Sequence, residues 1–312
     1  MKVLFISKRD FANVGYLLAK SLNSIGVVAR SVCLRESNIG LVPDRGYGCS
    51  EVVTIQRLKR IILNYDVIQF MHSSLIKTKV NLSRKLVSVF HGGSDYRKKP
   101  ISISRKWNRI ARFQLVQTGD LLNRGKVNNE EWLLPPVDTD YLFFENKINE
   151  LRQVLHCPSN FEKKGTSQFI TTMTELEKSI PNFRWSVGDR VNWYTNIDRI
   201  RDCDIYFDAC QPILRGKPYG FWGMAALEAA ALGKVVITHF NHNEKRYIKL
   251  YGKHPLQVAN NFNEVKERII ECLTMNETDL KNLQSKTRQW VVKNHSLKVV
   301  GKRLRDIYRR YI

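Results

Sequence analysis

Acidic side chains are the scarce class in this 312-residue chain: 29 Asp and Glu stand against 51 Lys and Arg, a formal net charge of +22. The imbalance implies attraction to something anionic, whether a phosphate-bearing substrate, an acidic lipid surface or nucleic acid. A diffuse solubility or thermal adaptation is the plain alternative. Paired cysteine spacing is missing too. Cys33, Cys49, Cys157, Cys203, Cys210 and Cys272 form no CxxC, which argues against a zinc ribbon or a disulfide framework and suits a reducing cytosol. No apolar run approaches eighteen residues, and the opening MKVLFISKRDF holds only four consecutive apolar positions. That is too few for a signal-peptide core or a membrane span. The expectation is a cytoplasmic protein without a transmembrane segment, any membrane contact being peripheral and on the inner face. GxxxxGK[ST] is absent, so there is no Walker loop. Helix-turn-helix, zinc-finger and RNP signatures are absent as well. No repeat of 20–50 residues and no low-complexity tract interrupts the chain.

What is present is an ordinary globular composition, 43% hydrophobic and 26% charged, in a chain long enough for two α/β cores. Short apolar strands are expected at Val3–Ser7, Val27–Leu34, Asp66–Met71, Leu86–His91 and Phe113–Gln117. Between them, Asn13–Ile25 carries Val14, Leu17, Leu18, Leu22 and Ile25 at helical spacing, and Val52–Ile62 repeats the pattern after a Gly- and Pro-containing loop at Gly40–Gly48. Such alternation indicates a mostly parallel, doubly wound sheet. The two prolines of LLPPVDTD (Leu133–Asp140) and the polar stretch after it mark a boundary. Alternation then restarts with a strand at Val154–Cys157, a helix at Thr166–Ser179 and a strand at Arg184–Val187. Helices at Asn263–Leu273, Asp279–Lys293 and Ser296–Ile312 close the chain.

The stretch Asp204–Thr238 reads as a β-loop-α-β unit: strand Ile205–Phe207, a Gly-, Pro- and Arg-rich loop, helix Met224–Leu232 and strand Val235–Thr238. In such units ligands bind beyond the carboxyl ends of the strands. Gly220 and Gly223 admit a ligand close to the backbone, and the helix start behind them offers N–H groups to an anion. Glu228 lies inside the Ala-rich helix; the plain reading is an acid complementing the helix dipole. Earlier, His91-Gly92-Gly93-Ser94-Asp95 follows a strand end, where His91 either donates to a ligand oxygen or satisfies a backbone group in a capping turn. HCPSNFEKKGT (His156–Thr166) puts Lys163 and Lys164 beside Gly165, with Thr166 able to cap the next helix. A lysine there is placed to neutralise phosphate, although a Lys-Lys pair alone is more often a solvated face. Two clusters concentrate the charge. Arg97–Lys126 holds nine Lys/Arg against Asp120, and Lys281–Arg310 holds ten against Asp306. Trp107, Tyr308 and Tyr311 are interleaved, as suits a membrane interface or a nucleic-acid groove.

Taken in order, these motifs resemble the family-4 retaining glycosyltransferases of the GT-B fold, and the resemblance covers most of the chain. HGGSD matches that family's HG-x-D-like turn, and LLPPVDTDYL (Leu133–Leu142) its "IPNGVD" segment. Lys164-Gly165 matches "EKG", HCPSN…KGT being closest to a subgroup that reads "HAPSN…KGT". Gly220 to Glu228 aligns with E-G-F-G-x-x-x-x-E. Three departures stand out. Gly220 replaces the first glutamate, which holds donor-sugar hydroxyls. Ser159-Asn160 replaces the arginine that accompanies the lysine, with Arg215 and Lys217 able to supply the charge. Lys8-Arg9-Asp10 replaces the glycine pair after the first strand.

The resemblance implies an α/β protein of GT-B architecture: two Rossmann-like doubly wound domains facing across a cleft, with the C-terminal helix packing back on the first. Residues 1–143 would be the acceptor-binding domain, 150–292 the nucleotide-sugar domain and 293–312 the returning basic helix. It implies a retaining, metal-independent transfer from a nucleotide-diphosphate sugar, with no cofactor beyond that substrate. Lys164 and the N–H groups of Gly223 and Met224 would hold the diphosphate. Glu228 would hold the ribose, and His91 would contact the donor sugar. Ser159, Asn160, Gly165, Gly220 and Phe221 complete the donor side, with Gly92, Asp95, Arg215 and Lys217 on the acceptor or phosphate side. The acceptor would be a glycan or lipid-linked molecule at an anionic surface. The alternatives are a nucleic-acid acceptor such as a modified DNA base, or a non-catalytic GT-B protein that only binds sugar nucleotide.

Overall fold

The computed structural model describes residues 1–36, 48–188, 192–240 and 243–312, and for Ser94 the backbone alone. All of the expected Gly40–Gly48 loop except Gly48 lies outside the described residues. Two compact units are present, Met1–Pro136 with His295–Ile312, and Val137–Asn294.

The first unit is built from β1 (Lys2–Ser7), α1 (Val14–Asn23), β2 (Val28–Cys33), β3 (Glu51–Val52), α2 (Ile55–Leu63), β4 (Val67–Met71), β5 (Leu86–His91), α3 (Ser94–Lys98), α4 (Pro100–Trp107), β6 (Phe113–Val116) and β7 (Glu130–Trp132). The second contains β8 (Arg152–His156), α5 (Phe161–Lys164), α6 (Thr166–Ser179), β9 (Phe183–Val187), α7 (Trp193–Asp202), β10 (Ile205–Ala209), β11 (Ile213–Leu214), β12 (Lys217–Pro218), α8 (Met224–Ala231), β13 (Val235–Thr238), α9 (Glu244–Tyr251), β14 (Gln257–Val258), α10 (Phe262–Thr274) and nearly all of α11 (Glu277–His295). The last helix, α12 (Leu297–Tyr311), belongs to the first unit.

The first sheet runs β3-β2-β1-β4-β5-β6-β7 with every described pairing parallel. Its central strands β4 and β5 are buried at every position, as a sheet covered on both faces requires. Connections run from β1 to β2 on one side and to β4 on the other, so the strand order reverses between β1 and β4. Leu4, Ile6, Ile68, Phe70 and Trp107 pack into a core on this sheet with Leu58 and Ile62 of α2. The last helix joins the same unit: Tyr308 Oη donates to Gln69 Oε1 at 3.0 Å, and Tyr311 stacks on Phe113 at 4.4 Å between centroids.

The second sheet, β14-β13-β10-β8-β9, is also parallel, and β11 and β12 form a small antiparallel hairpin. Val154, Phe169, Ile205, Phe207, Val235 and Ile237 belong to its core. The α/β class with parallel doubly wound sheets is as expected. Among the described residues no helix is long and apolar enough to cross a membrane.

Two of the three interleaved aromatics of the basic clusters lie in the core, while Tyr311 is half-buried. Trp107 is 1% exposed and Tyr308 fully buried. They anchor amphipathic helices whose cations face water.

Candidate functional site in the second unit

At the carboxyl edge of the second sheet, β8 ends at His156, which is fully buried. Its Nδ1 lies 2.9 Å from the Phe207 carbonyl and its Nε2 2.9 Å from Thr166 Oγ1. The imidazole thereby ties β8 to β10 and to the start of α6, and burial lowers its pKa to about 4. The chain then turns through Ser159, which is exposed, and Asn160, whose side chain caps α5 by accepting from the Lys163 amide at 3.0 Å. Asn160 is thus spent on the helix start. Gly165 joins α5 to α6 with φ +73°, and a Cβ there would lie 2.7 Å from the Cys210 carbonyl oxygen. Only glycine satisfies both conditions. This turn sets Lys164 over the end of β10.

There Lys164 meets Asp208, at the fourth position of a strand buried throughout. Nζ lies 2.6 Å from Asp208 Oδ1. The other carboxylate oxygen accepts from the Gly223 amide at 3.0 Å and from Thr238 Oγ1 at 3.3 Å. Burial by itself would raise the Asp208 pKa, but the Lys164 ammonium and the Gly223 N–H outweigh it and hold the acid below its usual range. Gly223 is the N-cap of α8. A lysine, a backbone amide and a helix N-terminus therefore converge at one point. Met224 opens the helix, and Glu228 follows one turn further in, 6% exposed. Its Oε1 accepts from Trp193 Nε1 of α7 at 2.8 Å. Burial raises its pKa to about 7, the indole bond opposing.

Gly220 sits in the loop between β12 and α8 at φ +78°, and a Cβ there would approach His239 Nε2 to 2.8 Å. His239, 1% exposed, is held by the Tyr219 and Ala209 carbonyls. The place of the family's first glutamate is therefore closed to a side chain by both backbone and neighbour. Arg215 and Lys217 lie on the exposed β11–β12 hairpin. Arg215 reaches Glu162 of α5 at 3.5 Å, which puts the hairpin beside the Lys164 turn.

Two expectations need correction. Phe221, read as donor-lining, is 6% exposed and packs in an aromatic core with Trp222, Phe240 and Tyr247. It anchors the loop. His91 in the first unit, read as touching a donor sugar, is fully buried. Its Nδ1 lies 2.8 Å from Ser73 Oγ, its Nε2 2.5 Å from Gln114 Oε1, and its ring stacks on Tyr96 at 4.0 Å. Burial lowers its pKa to about 4. Both nitrogens are committed, so the imidazole acts as an internal tie between strands. Gly92 beside it is buried, a Cβ there falling 2.6 Å from Gln117 Oε1, while Asp95 is exposed in the first turn of α3.

Two buried acids, Asp208 and Asp10, belong to none of the sequence motifs. The signal for Asp208 was a lone acid inside an apolar strand. Asp10 follows β1 at the point where the first sheet's order reverses, the usual ligand position in such sheets. It accepts from the Gly15 and Tyr16 amides, both at 2.8 Å, and from Ser50 Oγ at 2.7 Å. His72 Nε2, just past β4, stands 3.4 Å away. Among the described residues no three His, Cys, Asp or Glu side chains gather as a metal site.

No protein-family model and no curated protein sequence matches the chain. Solved structures do. HepE from Anabaena, in complex with UDP and glucose, superposes with a TM-score of 0.65 at 11% identity over 99% of this chain and 100% of that one. A glycosyltransferase from Rickettsia africae gives 0.67 at 14% identity over 99% and 98%. Sucrose-phosphate synthase from Thermosynechococcus elongatus gives 0.64 at 10% over 99% and 99%. At these identities the likeness shows the fold, which is GT-B.

Proposed function

We propose that this protein is a glycosyltransferase of the family-4 type that moves a sugar from a nucleotide-diphosphate donor with retention. The observation that carries the reading is the convergence of Lys164 Nζ and the Gly223 amide at the N-terminus of α8, with Glu228 one turn along the same helix. HepE, similar over its whole length, was solved with UDP and with UDP-glucose, which supports a uridine donor as the first to try. The diphosphate takes the place between Lys164 and α8, and Glu228 accepts from the ribose hydroxyls. As the glycosidic bond breaks, negative charge grows on the departing diphosphate. A cation and aligned amides fixed there stabilise that charge more in the transition state than in the ground state. The same groups make a metal unnecessary, so turnover survives chelation. No carboxylate is assigned as a covalent nucleophile. With Gly220 closed off, donor-sugar recognition rests on backbone groups of the Tyr219–Gly223 loop.

The acceptor side is the basic unit. It carries 29 Lys/Arg against 10 Asp/Glu, whereas the second unit carries 22 against 19. Charge concentrated in the unit that does not carry the Lys164 cradle fits a polyanionic surface as the acceptor's setting, and with Trp107 and Tyr308 in the core, stacking on bases is not supported. A glycan or lipid-linked acceptor at an anionic membrane face is the reading we adopt, with peripheral attachment on the cytoplasmic side.

The test is a panel of UDP-, GDP- and ADP-sugars assayed for hydrolysis and transfer with EDTA present. Turnover with one donor, abolished in Lys164→Ala and Glu228→Ala, is the expected result. Tight nucleotide binding without turnover on any acceptor would replace the reading by a non-catalytic sugar-nucleotide-binding protein.

A further inference from the structure

Lys164 and the Gly223 amide, assigned above to the donor diphosphate, are already engaged by an anion that belongs to the chain. Asp208 reaches Lys164 Nζ at 2.6 Å with one oxygen and the Gly223 amide at 3.0 Å with the other, where Thr238 Oγ1 also donates at 3.3 Å. The carboxylate thus lies across the N-terminus of α8, in the position a phosphate oxygen needs. The two partners differ in access. The lysine side chain is 20% exposed and the aspartate 1%. An incoming anion meets the ammonium first, while the acid stays behind it.

An ion pair buried in this way is weak evidence for stability, since desolvation offsets much of the attraction. The pair does have a consequence for binding. Ammonium and carboxylate cancel, so the empty cradle presents helix amides and little net charge. A diphosphate must draw Lys164 and Gly223 N–H towards itself, and Asp208 then remains beside it as a like charge. Once Lys164 and the Gly223 amide turn away, the Thr238 hydroxyl at 3.3 Å is the hydrogen bond left to the acid among the described residues, with His239 nearby.

We propose that Asp208 is the internal counter-anion of the diphosphate site. It keeps Lys164 and the Gly223 amide in place while the site is empty and competes with the diphosphate for them, so that it weakens product binding and speeds product release. The proposal rests on the donor reading above. It assigns Asp208 a positioning role, because it acts through Lys164 and the Gly223 amide. Release of the leaving nucleotide limits many transferases of this kind of site, and a fixed negative charge behind the cradle favours departure.

The test titrates UDP and inorganic pyrophosphate calorimetrically into the full chain and into Asp208→Asn, which keeps the shape and removes the charge. Both ligands are expected to bind the variant at least roughly tenfold more tightly, the scale that follows from deleting one charge a few ångströms from another in a partly buried site. UDP dissociation, followed by stopped flow, slows in proportion. Asp208→Ala removes the charge without adding a donor and is to give the same tightening should the asparagine variant fail to fold. Equal or weaker binding by a folded variant overturns the proposal, because a merely supporting side chain can only weaken binding when removed. Where wild type binds and the variants do not tighten, this inference falls and the donor reading stands. Where wild type and both variants ignore UDP, GDP, ADP and pyrophosphate alike, both fall.

Discussion

Burial holds the Glu228 carboxyl at about 7, well above the ordinary glutamate range, against the opposing indole bond from Trp193. The sign of the linkage follows. Between the ordinary range and about 7 the unfolded chain gives up this proton while the folded chain keeps it. Stability therefore falls as pH rises through that window, and the penalty is complete above it. Glu228→Gln keeps an oxygen for Trp193 and removes the titration. It should be more stable than wild type at pH 8 by about 2–3 kcal/mol and nearly equal at pH 4, read from urea unfolding at both pH values. A variant equally stable at pH 8 would mean that the carboxylate is better solvated than its burial implies. The placement of Lys164 beside Gly165 and of Glu228 in the helix after Gly223 was legible in the sequence because their spacing against glycines is fixed by local geometry. Asp208 was not, because its partners come from three other elements. His91 was misassigned for the same reason: Ser73 and Gln114, which consume its nitrogens, lie 18 and 23 residues away.

Between α5 and α6 a single residue carries the turn that aims Lys164. Gly165 combines φ +73° with a Cβ position 2.7 Å from the Cys210 oxygen and 2.9 Å from the Phe262 ring. The Cys210 amide in turn donates to the Lys164 carbonyl at 3.2 Å, coupling the turn to β10. Gly165→Ala should cost roughly 1–3 kcal/mol of stability and weaken UDP binding further than that loss explains, because the lysine moves with the turn. Denaturant unfolding and UDP titration of the one variant separate the two effects. At this scale the regular elements were readable wherever an apolar period was long: α1, α6, α10, α11 and α12 were expected with ends close to those observed. The α2 helix starts at Ile55 instead of Val52 because Thr54 Oγ1 accepts from the Arg57 amide at 3.2 Å, while Glu51–Val52 pairs with β2. The α4 and α9 helices escaped because few of their residues are buried: α4 buries Ser104 and Trp107, and α9 Tyr247 and Tyr251. Helices that cover a sheet with one narrow stripe leave a weak period among charged residues.

Charge is divided unequally over the whole chain, the first unit at +19 and the second at +3. Part of the first unit's charge is internal: Arg97 holds the buried Asp120 at 2.6 Å and Arg124 stands 3.8 Å from it. Lys98, Lys99, Arg105, Lys106, Arg109 and Arg112 are exposed along α3, α4 and the turn into β6. The tails of α4 and α12 meet at a recess of about 720 Å³ lined by Arg109, Arg112, Arg310, Asn108, Asn129 and Tyr311. Arg310 of the second basic cluster thus joins Arg109 and Arg112 of the first at the amino-terminal edge of β6. Ile101 and Ile110 are 44% and 43% exposed among these cations, a mixture suited to the headgroup region of an acidic bilayer. At the opposite edge of the same sheet, Asp10 closes the α1 N-terminus to anions by accepting its first amides. On the proposed reading, attachment to a polyanion and reaction of an acceptor would use different edges of the unit. The triple variant Lys106→Glu, Arg109→Glu, Arg112→Glu should lose co-sedimentation with phosphatidylglycerol vesicles. It should keep the donor hydrolysis of wild type, since the second unit is untouched. Wild type should sediment with those vesicles at physiological salt and leave phosphatidylcholine vesicles in the supernatant. Duplex DNA, titrated at low and physiological salt, should release the protein steeply as salt rises. If DNA retains the protein where anionic vesicles do not, the acceptor belongs with nucleic acids and the membrane reading is wrong.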